Sequence, residues 1–345
     1  MSGNDFLRSY FCAANSGKGF VSFYDGLIAR ADRVFIIKGG PGTGKSRFLH
    51  EVADAAKKAL HNVDYYYCSS DSSSLDAITI DRKTLFLDGT APHSVDTTLP
   101  GARDSIIDLG AFFDVAALIG QRKRIVELNK KKALCFNRAY SYLSAAAGAS
   151  DVADSVASSF VLHDKLTSAT RRAMSALKCG DGFAVTKVAL RSLGMNGETK
   201  LDTFERIAES YTPIVDFYGT AYLFLDELIH EAEKKKLKIT VAVDPLDTDK
   251  ADAVLLDDSG IAFGIGGNGD RKINMRRFAD LPSCRLCRNE YRLADAFRKG
   301  LTDGAIASLK AAAVYHFTLE KIYGEAMDFA AKEEYTDNFI SELLG

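Results

Sequence analysis

One fourteen-residue stretch constrains the fold of this chain more than any other: residues 33–46 read RVFIIKGGPGTGKS. A short β-branched and aromatic run precedes a glycine-rich loop, and an amphipathic helical pattern follows it to about Leu60. The loop satisfies the pattern G-x-x-x-x-G-K-[ST], and strand–loop–helix order is the context in which that pattern indicates a phosphate-binding loop. The sequence therefore predicts an α/β lobe with an anion site at the end of one sheet strand.

The chemistry of such a loop requires these residue types. Glycines permit positive φ angles, so successive N–H groups can curl around an anion, and the following helix points its positive end at the same place. Lys45 is expected to reach the β- and γ-phosphates of a nucleoside triphosphate, and the Ser46 hydroxyl is expected to ligate Mg²⁺. A glycine-rich turn without a ligand is the alternative. The predicted cofactor-binding residues are Gly39, Gly40, Pro41, Gly42, Thr43, Gly44, Lys45, Ser46 and Arg47.

A magnesium site of this kind also needs a carboxylate, which usually stands at the end of an apolar strand. Residues 84–87 have the composition of a buried strand, and Asp88 follows at the carboxyl end, where open α/β sheets place ligand groups. The sequence predicts Ser46 and Asp88 as the metal ligands. An Asp-Gly turn without a metal is the alternative interpretation of this position.

Two more residues are candidates for positioning the attacking group. Residues 63–67 predict a strand, and Asp71 follows it closely. Asp71 could orient water, bind a substrate hydroxyl or contact magnesium, or it could cap the turn formed by residues 72–74. His93 is a candidate on the γ-phosphate side, although a single histidine in a loop is often structural. The predicted catalytic set is Lys45, Asp71, Asp88 and His93.

The chain also contains an internal repeat. A shift of 176 residues aligns residues 48–87 with 224–263 without a gap and gives nine identities in forty positions, against roughly two or three expected from average composition. The pairs that this frame brings together at the candidate site are Lys45 with Ala221, Ser46 with Tyr222, and Asp88 with Gly264. The second copy is therefore predicted to keep the packing of a helix on a sheet and to lose the phosphate and magnesium groups.

These observations predict two tandem P-loop NTPase-like α/β lobes with mostly parallel sheets, the second of them degenerate. The expected domains are residues 1–180, a nucleotide-binding lobe with a helical extension, and residues 181–345, a P-loop-like lobe without the Walker A loop. The boundary is expected within residues 180–197, which contain several glycines.

Five segments make the chain resemble a known family. They are FCAANSGKGFVSFYD (11–25), IIKGGPGTGKS (36–46), CSSDSSSLDAI (68–78), DGTAPHSVD (88–96) and LEKIYGEAMDF (319–329). With them the chain resembles a bacterial family of duplicated, two-lobe P-loop ATP-binding proteins that are classed as ATPases. The resemblance implies ATP as the ligand and a second lobe built like the first. In that family the second lobe often has its own glycine loop, and this chain departs from the family there.

Charge and targeting signals limit the partners. The chain has 44 Lys and Arg residues against 46 Asp and Glu residues, so it lacks the basic field of a dedicated nucleic-acid binder. Residues 121–138 carry seven basic side chains and one acidic, a pattern more typical of a solvated helix face than of a nucleic-acid or membrane surface. Without a signal sequence or a long apolar run, the chain is predicted to be cytoplasmic and to have no membrane partner.

The cysteines predict reduced thiols. Six cysteines are scattered through a long chain, unlike the dense framework of a small disulfide-bonded domain. Cys284 and Cys287 form a single C-x-x-C, whereas a zinc site needs four ligands. Thiols on a helix are the simpler interpretation.

The expected function is Mg²⁺-dependent ATP hydrolysis at one site in the first lobe, with GTP as the alternative nucleotide. Two other hypotheses use the same site. One is a kinase for a small metabolite, and the other is a nucleotide-sensing module with little turnover. The sequence does not identify the coupled small molecule or protein partner.

Overall fold

The chain forms two α/β lobes, each built on a six-stranded mixed sheet that is mostly parallel. The computed structural model describes residues 8–92, 94–269 and 271–344. His93, one of the predicted catalytic residues, therefore lies outside the described residues. In each sheet one strand runs antiparallel to both of its neighbours, and the other strands share one direction.

The two halves of the chain contain the same series of strands. The strands of the first half are β1 (Ser9–Phe11), β2 (Ala13–Ser16), β3 (Gly19–Ser22), β4 (Arg33–Lys38), β5 (Val63–Tyr67), β6 (Leu75–Ile80), β7 (Thr84–Asp88) and β8 (Asp104–Asp108). Those of the second half are β9 (Ala184–Val188), β10 (Arg191–Gly194), β11 (Gly197–Lys200), β12 (Ser210–Val215), β13 (Lys238–Val243), β14 (Ala251–Leu256), β15 (Ile261–Ile265) and β16 (Ile273–Asn274). The first sheet has the order β1-β5-β6-β7-β4-β8, and the second has the equivalent order β9-β13-β14-β15-β12-β16.

The helices repeat in a similar way. They are α1 (Tyr24–Ile28), α2 (Lys45–Lys58), α3 (Val115–Gly120), α4 (Arg122–Ser158), α5 (His163–Ala173), α6 (Thr203–Ile207), α7 (Ala221–Lys234), α8 (Leu281–Gly324) and α9 (Phe329–Leu344). Helix α8 is in the place that α3 and α4 together take in the first half. A short 3₁₀ helix follows edge strand β8 of the first sheet, at Leu109–Phe112, and edge strand β16 of the second, at Met275–Phe278. Among the described residues, none of these helices has both the length and the apolar character needed to cross a membrane.

The strand register corrects one detail of the predicted alignment. Helices α2 and α7 begin at Lys45 and Ala221, which preserves the shift of 176 residues. The turn that leads into the next parallel strand is one residue longer in the second half, because β7 begins at Thr84 and β15 at Ile261. The pairing of Gly264 with Asp88 was therefore wrong, and Ile265 stands at the equivalent position, as the last residue of its strand.

The sequence forms these elements for simple reasons. Residues 34–37 of β4 are at most 3% exposed, because both faces of the sheet are covered and such strands are apolar throughout. Helices α2 and α9 cover one face, and the other packs in an apolar cluster that includes α1 and strand residues of the second sheet. The buried side chains of α2 recur with helical spacing and form one apolar face: Phe48, Leu49, Val52, Ala53 and Ala56. That face packs on the first sheet and fixes the position of the glycine loop between β4 and α2.

The last helix of each half, α5 in the first and α9 in the second, packs on the lobe formed by the other half. The C-terminal helix α9 packs on α2, and its Phe339 ring lies 5.4 Å from Phe35, 5.6 Å from Phe48 and 6.0 Å from Phe86, measured between ring centroids. Helix α5 packs on α7, with Leu166 in the same apolar cluster as Phe224. The two halves of the chain are therefore interlocked.

The junction between the sheets lies at their edge strands. Phe11 and Ala189 exchange two backbone hydrogen bonds, of 2.9 and 3.0 Å. The hairpin β2–β3 reaches the second lobe, where the Gly17 N–H donates to the Leu246 carbonyl at 2.9 Å. Helices α4 and α8 pack against each other and connect the two lobes. The cysteines Cys284 and Cys287 lie on α8 as free thiols.

Candidate functional site

The glycine loop adopts the backbone that its sequence permits. Gly42 has φ of +76° and Gly44 has φ of +79°, values that an L-residue rarely adopts. Gly44 is the residue before α2, and no side chain caps this 14-residue helix. Helices α3 and α8, in contrast, are capped by Asp114 and Asp280. The N-terminus of α2 thus keeps N–H groups that are available to an anion.

Lys45 lies between the loop and the predicted acid. Its ammonium donates to the carbonyl oxygens of Gly39 at 3.0 Å and Gly40 at 2.8 Å. The same nitrogen lies 3.6 Å from Asp88 Oδ2, and both side chains are 13% exposed. Thr43, fully buried, donates to the Gly40 carbonyl at 2.9 Å and holds the loop closed. The structure therefore brings Lys45 and Asp88 together, as the sequence predicted.

Ser46, the second residue of α2, and Asp88, the last residue of β7, lie at the same edge of the sheet. The Ser46 hydroxyl accepts a hydrogen bond of 3.0 Å from the Leu75 N–H, which ties the start of α2 to the start of β6. Asp88 ends β7, and its Oδ1 accepts the Thr90 N–H at 2.8 Å and the Thr90 hydroxyl. Burial raises the pKa of Asp88, and the Lys45 ammonium opposes this rise. A buried carboxylate with these partners is suited to act as a ligand for a metal cation.

Asp76 is a functional candidate that the sequence analysis did not select. The antiparallel register pairs Ala77 with Leu87, so Asp76 comes next on β6, opposite Asp88. Asp76 is 6% exposed, and its charge also contributes to the raised pKa of Asp88. Two carboxylates, one of them 3.6 Å from the Lys45 ammonium, and the Ser46 hydroxyl therefore lie at the same edge of the sheet. This set of oxygen groups is the kind that Mg²⁺ prefers.

A backbone irregularity explains why Asp76 turns toward this site. The pairing of β5 with β6 shifts register between Tyr66 and Tyr67, which leaves Asp76 as the extra residue of a β-bulge. Bulges redirect side chains and are common next to active sites. The second sheet has the same irregularity at Asp252, the residue equivalent to Asp76. The sequence signal that could have identified Asp76 was that both copies of the repeat have aspartate at this position.

Asp71 makes contacts of a structural kind. It accepts hydrogen bonds from the Ser73 N–H at 3.2 Å and from the Ser73 and Ser74 hydroxyls, both at 2.7 Å. Asn196, at the tip of the β10–β11 hairpin, donates to it at 3.3 Å. Burial raises the pKa of Asp71, but the hydrogen bonds from Ser73 and Ser74 outweigh this and leave it below the usual value. Its contacts agree with the turn-capping alternative.

Helices of the second half lie directly against the loop. A Cβ atom built at Gly40 would lie 3.5 Å from the rings of Phe113 and Tyr323. Arg47, predicted to bind the cofactor, forms ion pairs of 2.8 Å with Glu51 and with Glu333 on α9. The loop and the first turn of α2 are thus in contact with both α8 and α9.

A second lysine lies near the loop. Lys132 on α4 is half-buried, and burial lowers its pKa, with the Glu320 carboxylate opposing this effect and the charge of Lys45 adding to it. The basic run at residues 121–138 contained this residue, but the run gave no sign that only one of its lysines faces the loop.

Gly42 supports a prediction about stability. A Cβ atom at this position would lie 2.3 Å from the Glu320 carbonyl oxygen, and the backbone is left-handed there. We expect Gly42→Ala to lower the free energy of unfolding by about 2–4 kcal/mol, the sum of backbone strain and overpacking. Equilibrium urea denaturation measures this change.

Gly148 is the matched control, because a Cβ atom there meets nothing within 4 Å. Gly148 lies inside α4, so Gly148→Ala should raise the free energy of unfolding by up to ~1 kcal/mol. Equal stability of the two variants would contradict the close contact between the loop and α8.

The equivalent loop of the second lobe is filled by its own side chain. The Asp216 carboxylate accepts the Gly219 N–H at 2.9 Å and the Ala221 N–H at 2.9 Å. Ala221 is the first residue of α7 and the counterpart of Lys45. In phosphate-binding loops the N–H groups at this position face an anion. Here the Asp216 carboxylate accepts them instead.

The two halves thus share strand order and helix placement, and they differ in the groups at the start of the central helix. Comparison with protein-family models, with curated proteins and with solved structures found no significant match to this chain.

Proposed function

We propose that the first lobe binds ATP with Mg²⁺ and cleaves its terminal phosphoanhydride bond. The observation that carries the proposal is the position of Lys45. Its ammonium lies within 3.0 Å of two loop carbonyls and 3.6 Å from Asp88, at the uncapped start of α2. The five segments that resemble two-lobe P-loop ATPases support the same assignment.

The residues of the site suit each part of this reaction. The loop amides and the first N–H groups of α2 bind phosphate oxygens, and Lys45 exchanges the loop carbonyls for the β- and γ-phosphates. Ser46, Asp88 and Asp76 would hold Mg²⁺, which when bound would neutralise charge on the phosphates. Water attacks the γ-phosphorus, the bond to the β-phosphate oxygen breaks, and ADP and phosphate leave. Asp71 and His93 remain the candidates for orienting that water.

A metabolite kinase is the second candidate, and one loop favours it. Residues 89–103 connect β7 to β8, whereas only residues 266–272 connect the equivalent strands of the second lobe. Lys38 ties the longer loop down by donating to the carbonyls of Gly89 at 2.9 Å and Val95 at 2.6 Å. This extra loop begins next to Asp88, where a phosphoryl acceptor would lie.

A nucleotide sensor is the third candidate. The backbone contact between Gly42 and Glu320 connects the loop to α8, and α8 also borders the second lobe. A nucleotide that moves the loop would therefore act on a helix shared by both lobes. Such coupling needs tight binding but little turnover.

One experiment separates the three candidates. The full chain is incubated with ATP or GTP, with and without Mg²⁺, and binding is measured by calorimetry alongside phosphate release. Mg²⁺-dependent release without any acceptor supports the ATPase. Release that rises only with a metabolite extract supports the kinase, and tight binding without turnover in either assay supports the sensor. Absence of nucleotide binding would refute the proposed site.

GTP belongs in that experiment for a reason visible in the sequence. Residues 199–202 read TKLD, which matches the guanine-reading pattern Asn/Thr-Lys-x-Asp. In the structure Lys200 ends β11, and Asp202 precedes α6, in the second lobe. Thr199 of this pattern donates to the Ser72 hydroxyl of the first lobe at 3.2 Å, and the comparison of ATP with GTP tests whether the pattern contributes to base selection.

A further inference from the structure

A cavity of about 470 Å³ opens in the second lobe. It lies at the carboxyl ends of β12, β13 and β15, the edge at which α/β sheets bind ligands. Its walls include residues of α4, α7 and α8, such as Asp154, Tyr222 and Tyr291. The volume is within the range of small-molecule sites. The cavity thus occupies, in the second lobe, the position that the phosphate site occupies in the first.

The cavity does not favour an anion. The N–H groups of the loop before α7 are already bound by the Asp216 carboxylate, at 2.9 Å in both contacts. A phosphate would have to displace this side chain from a wall that already carries an excess of acids. Eight carboxylate side chains line the cavity against four basic ones.

Three of the four basic side chains of the wall, Arg191, Lys200 and Lys250, pair with those carboxylates, and Arg298 pairs with Asp295 outside the wall. Arg191 donates to Asp252 through Nε at 2.6 Å and Nη2 at 3.0 Å, to Asp244 at 2.6 Å, and to Glu198 at 2.9 Å. One guanidinium thus faces three carboxylates. The field at this wall is negative, and a further cation would be stabilised there.

Lys250, like Arg191, is a basic side chain of the cavity wall that pairs with more than one carboxylate. It forms ion pairs with Asp154 and, at 3.1 Å, with Asp247, and it lies 5.1 Å from the centroid of the Tyr222 ring. Burial raises the pKa of Asp252 to about 6, and the nearby Asp244 adds to the rise. These carboxylates carry more negative charge than the cations of the wall neutralise.

Aromatic rings complete the recognition surface. Tyr211, Tyr222 and Tyr291 line the cavity. Tyrosine rings attract cations over their faces, while carboxylates accept the N–H groups of an amine or a guanidine. A wall of tyrosine rings and separate carboxylates favours an organic cation. A metal ion would need several oxygen ligands around one point.

We propose that this cavity is a binding site for a small organic cation of the amine or guanidine class. The carboxylates around Arg191 and Lys250 bind its N–H donors, and the tyrosines pack on its carbon skeleton. The site is distinct from the phosphate loop and does not depend on the function proposed for that loop.

Calorimetric titration of the full chain tests the proposal, with agmatine, spermidine and arginine as cationic probes. Butanediol and glutarate serve as neutral and anionic controls. We expect saturable binding of at least one cation with one site per chain, and no binding of the controls. Glu198→Gln should weaken that binding about tenfold, the effect of one charged hydrogen bond. Ser150→Trp, which places an indole at the wall, should abolish it.

Two variants keep the test specific. Asp249→Asn removes an acid of the same lobe that pairs with Lys18 and does not line the cavity, so it should leave cation binding unchanged. Lys45→Ala should also leave it unchanged, which separates this site from nucleotide binding. The proposal is overturned if none of the three cations binds, or if Glu198→Gln and Ser150→Trp, shown to be folded by thermal unfolding, bind as the wild type does.

Discussion

Lys45→Ala is expected to reduce Mg²⁺-dependent ATP turnover by at least about a hundredfold. The ammonium lies within hydrogen-bond distance of two loop carbonyls, at 2.8 and 3.0 Å. Methyl in its place leaves the charge on the β- and γ-phosphates uncompensated. Phosphate release and calorimetric ATP titration measure the loss. The fold should persist, because the hydrogen bonds and the ion pair of this side chain within the described residues involve only the loop and Asp88.

Two variants control for this result. Lys58→Ala removes an exposed lysine from the other end of α2 and should leave turnover unchanged. Ala221→Lys installs a lysine at the equivalent position of the second lobe and should add no second nucleotide site, because Asp216 already binds the N–H of that residue. Full turnover by Lys45→Ala, or two nucleotides bound by Ala221→Lys, would defeat the assignment.

The sequence predicted the part of the fold that local chemistry determines. Residues of β4 must be apolar because both faces of the sheet are covered, and the loop that follows needs glycine for its backbone angles. Both requirements are visible in RVFIIKGGPGTGKS. The position of Asp88 followed from the same logic, since strand ends collect at one edge of a sheet. The approach of Lys45 to Asp88 was therefore predictable.

Asp76 was not predictable in the same way. A carboxylate on a buried strand looks like a defect in the apolar pattern, and only the bulge in the β5–β6 ladder shows where it points. The exchange of α5 and α9 between lobes depends on contacts between residues far apart in sequence, which periodicity cannot reveal. Asp216 looked like an ordinary loop acid, because nothing local distinguishes a carboxylate that accepts N–H bonds from one that faces water.

The second lobe has Ala221 where the first has Lys45, and Asp216 binds the N–H groups at the start of α7. Asp216 accepts the N–H groups before α7 from within the chain, so the start of this helix is satisfied without a ligand. The cavity beside Asp216 can therefore accept a ligand other than a phosphate. Helices α4 and α8 border both sites, with Lys132 and Glu320 near the loop and Asp154 and Tyr291 at the cavity. We therefore expect a ligand at either proposed site to act on the same helix pair.

Asp88→Asn is expected to lower Mg²⁺-dependent turnover by about a hundredfold and to raise stability. The activity falls because an amide is a weaker magnesium ligand than a carboxylate. Stability rises because burial raises the pKa of Asp88, so the folded chain holds a charge that the unfolded chain solvates better. An asparagine Oδ1 can still accept both hydrogen bonds from Thr90. Phosphate release and thermal unfolding measure the two effects.

The pH dependence distinguishes this account from a simple loss of packing. Because the folded pKa of Asp88 lies above the unfolded one, the folded state binds the proton more tightly, and the wild type gains stability as the pH falls toward that pKa. Asp88→Asn should remove this gain, so the stability difference should be largest at neutral pH and shrink under acid. Thr90→Val keeps the carboxylate and serves as the control, which should retain the pH dependence. A destabilised Asp88→Asn at neutral pH would mean that the carboxylate stabilises the fold through Lys45, and that the site is structural.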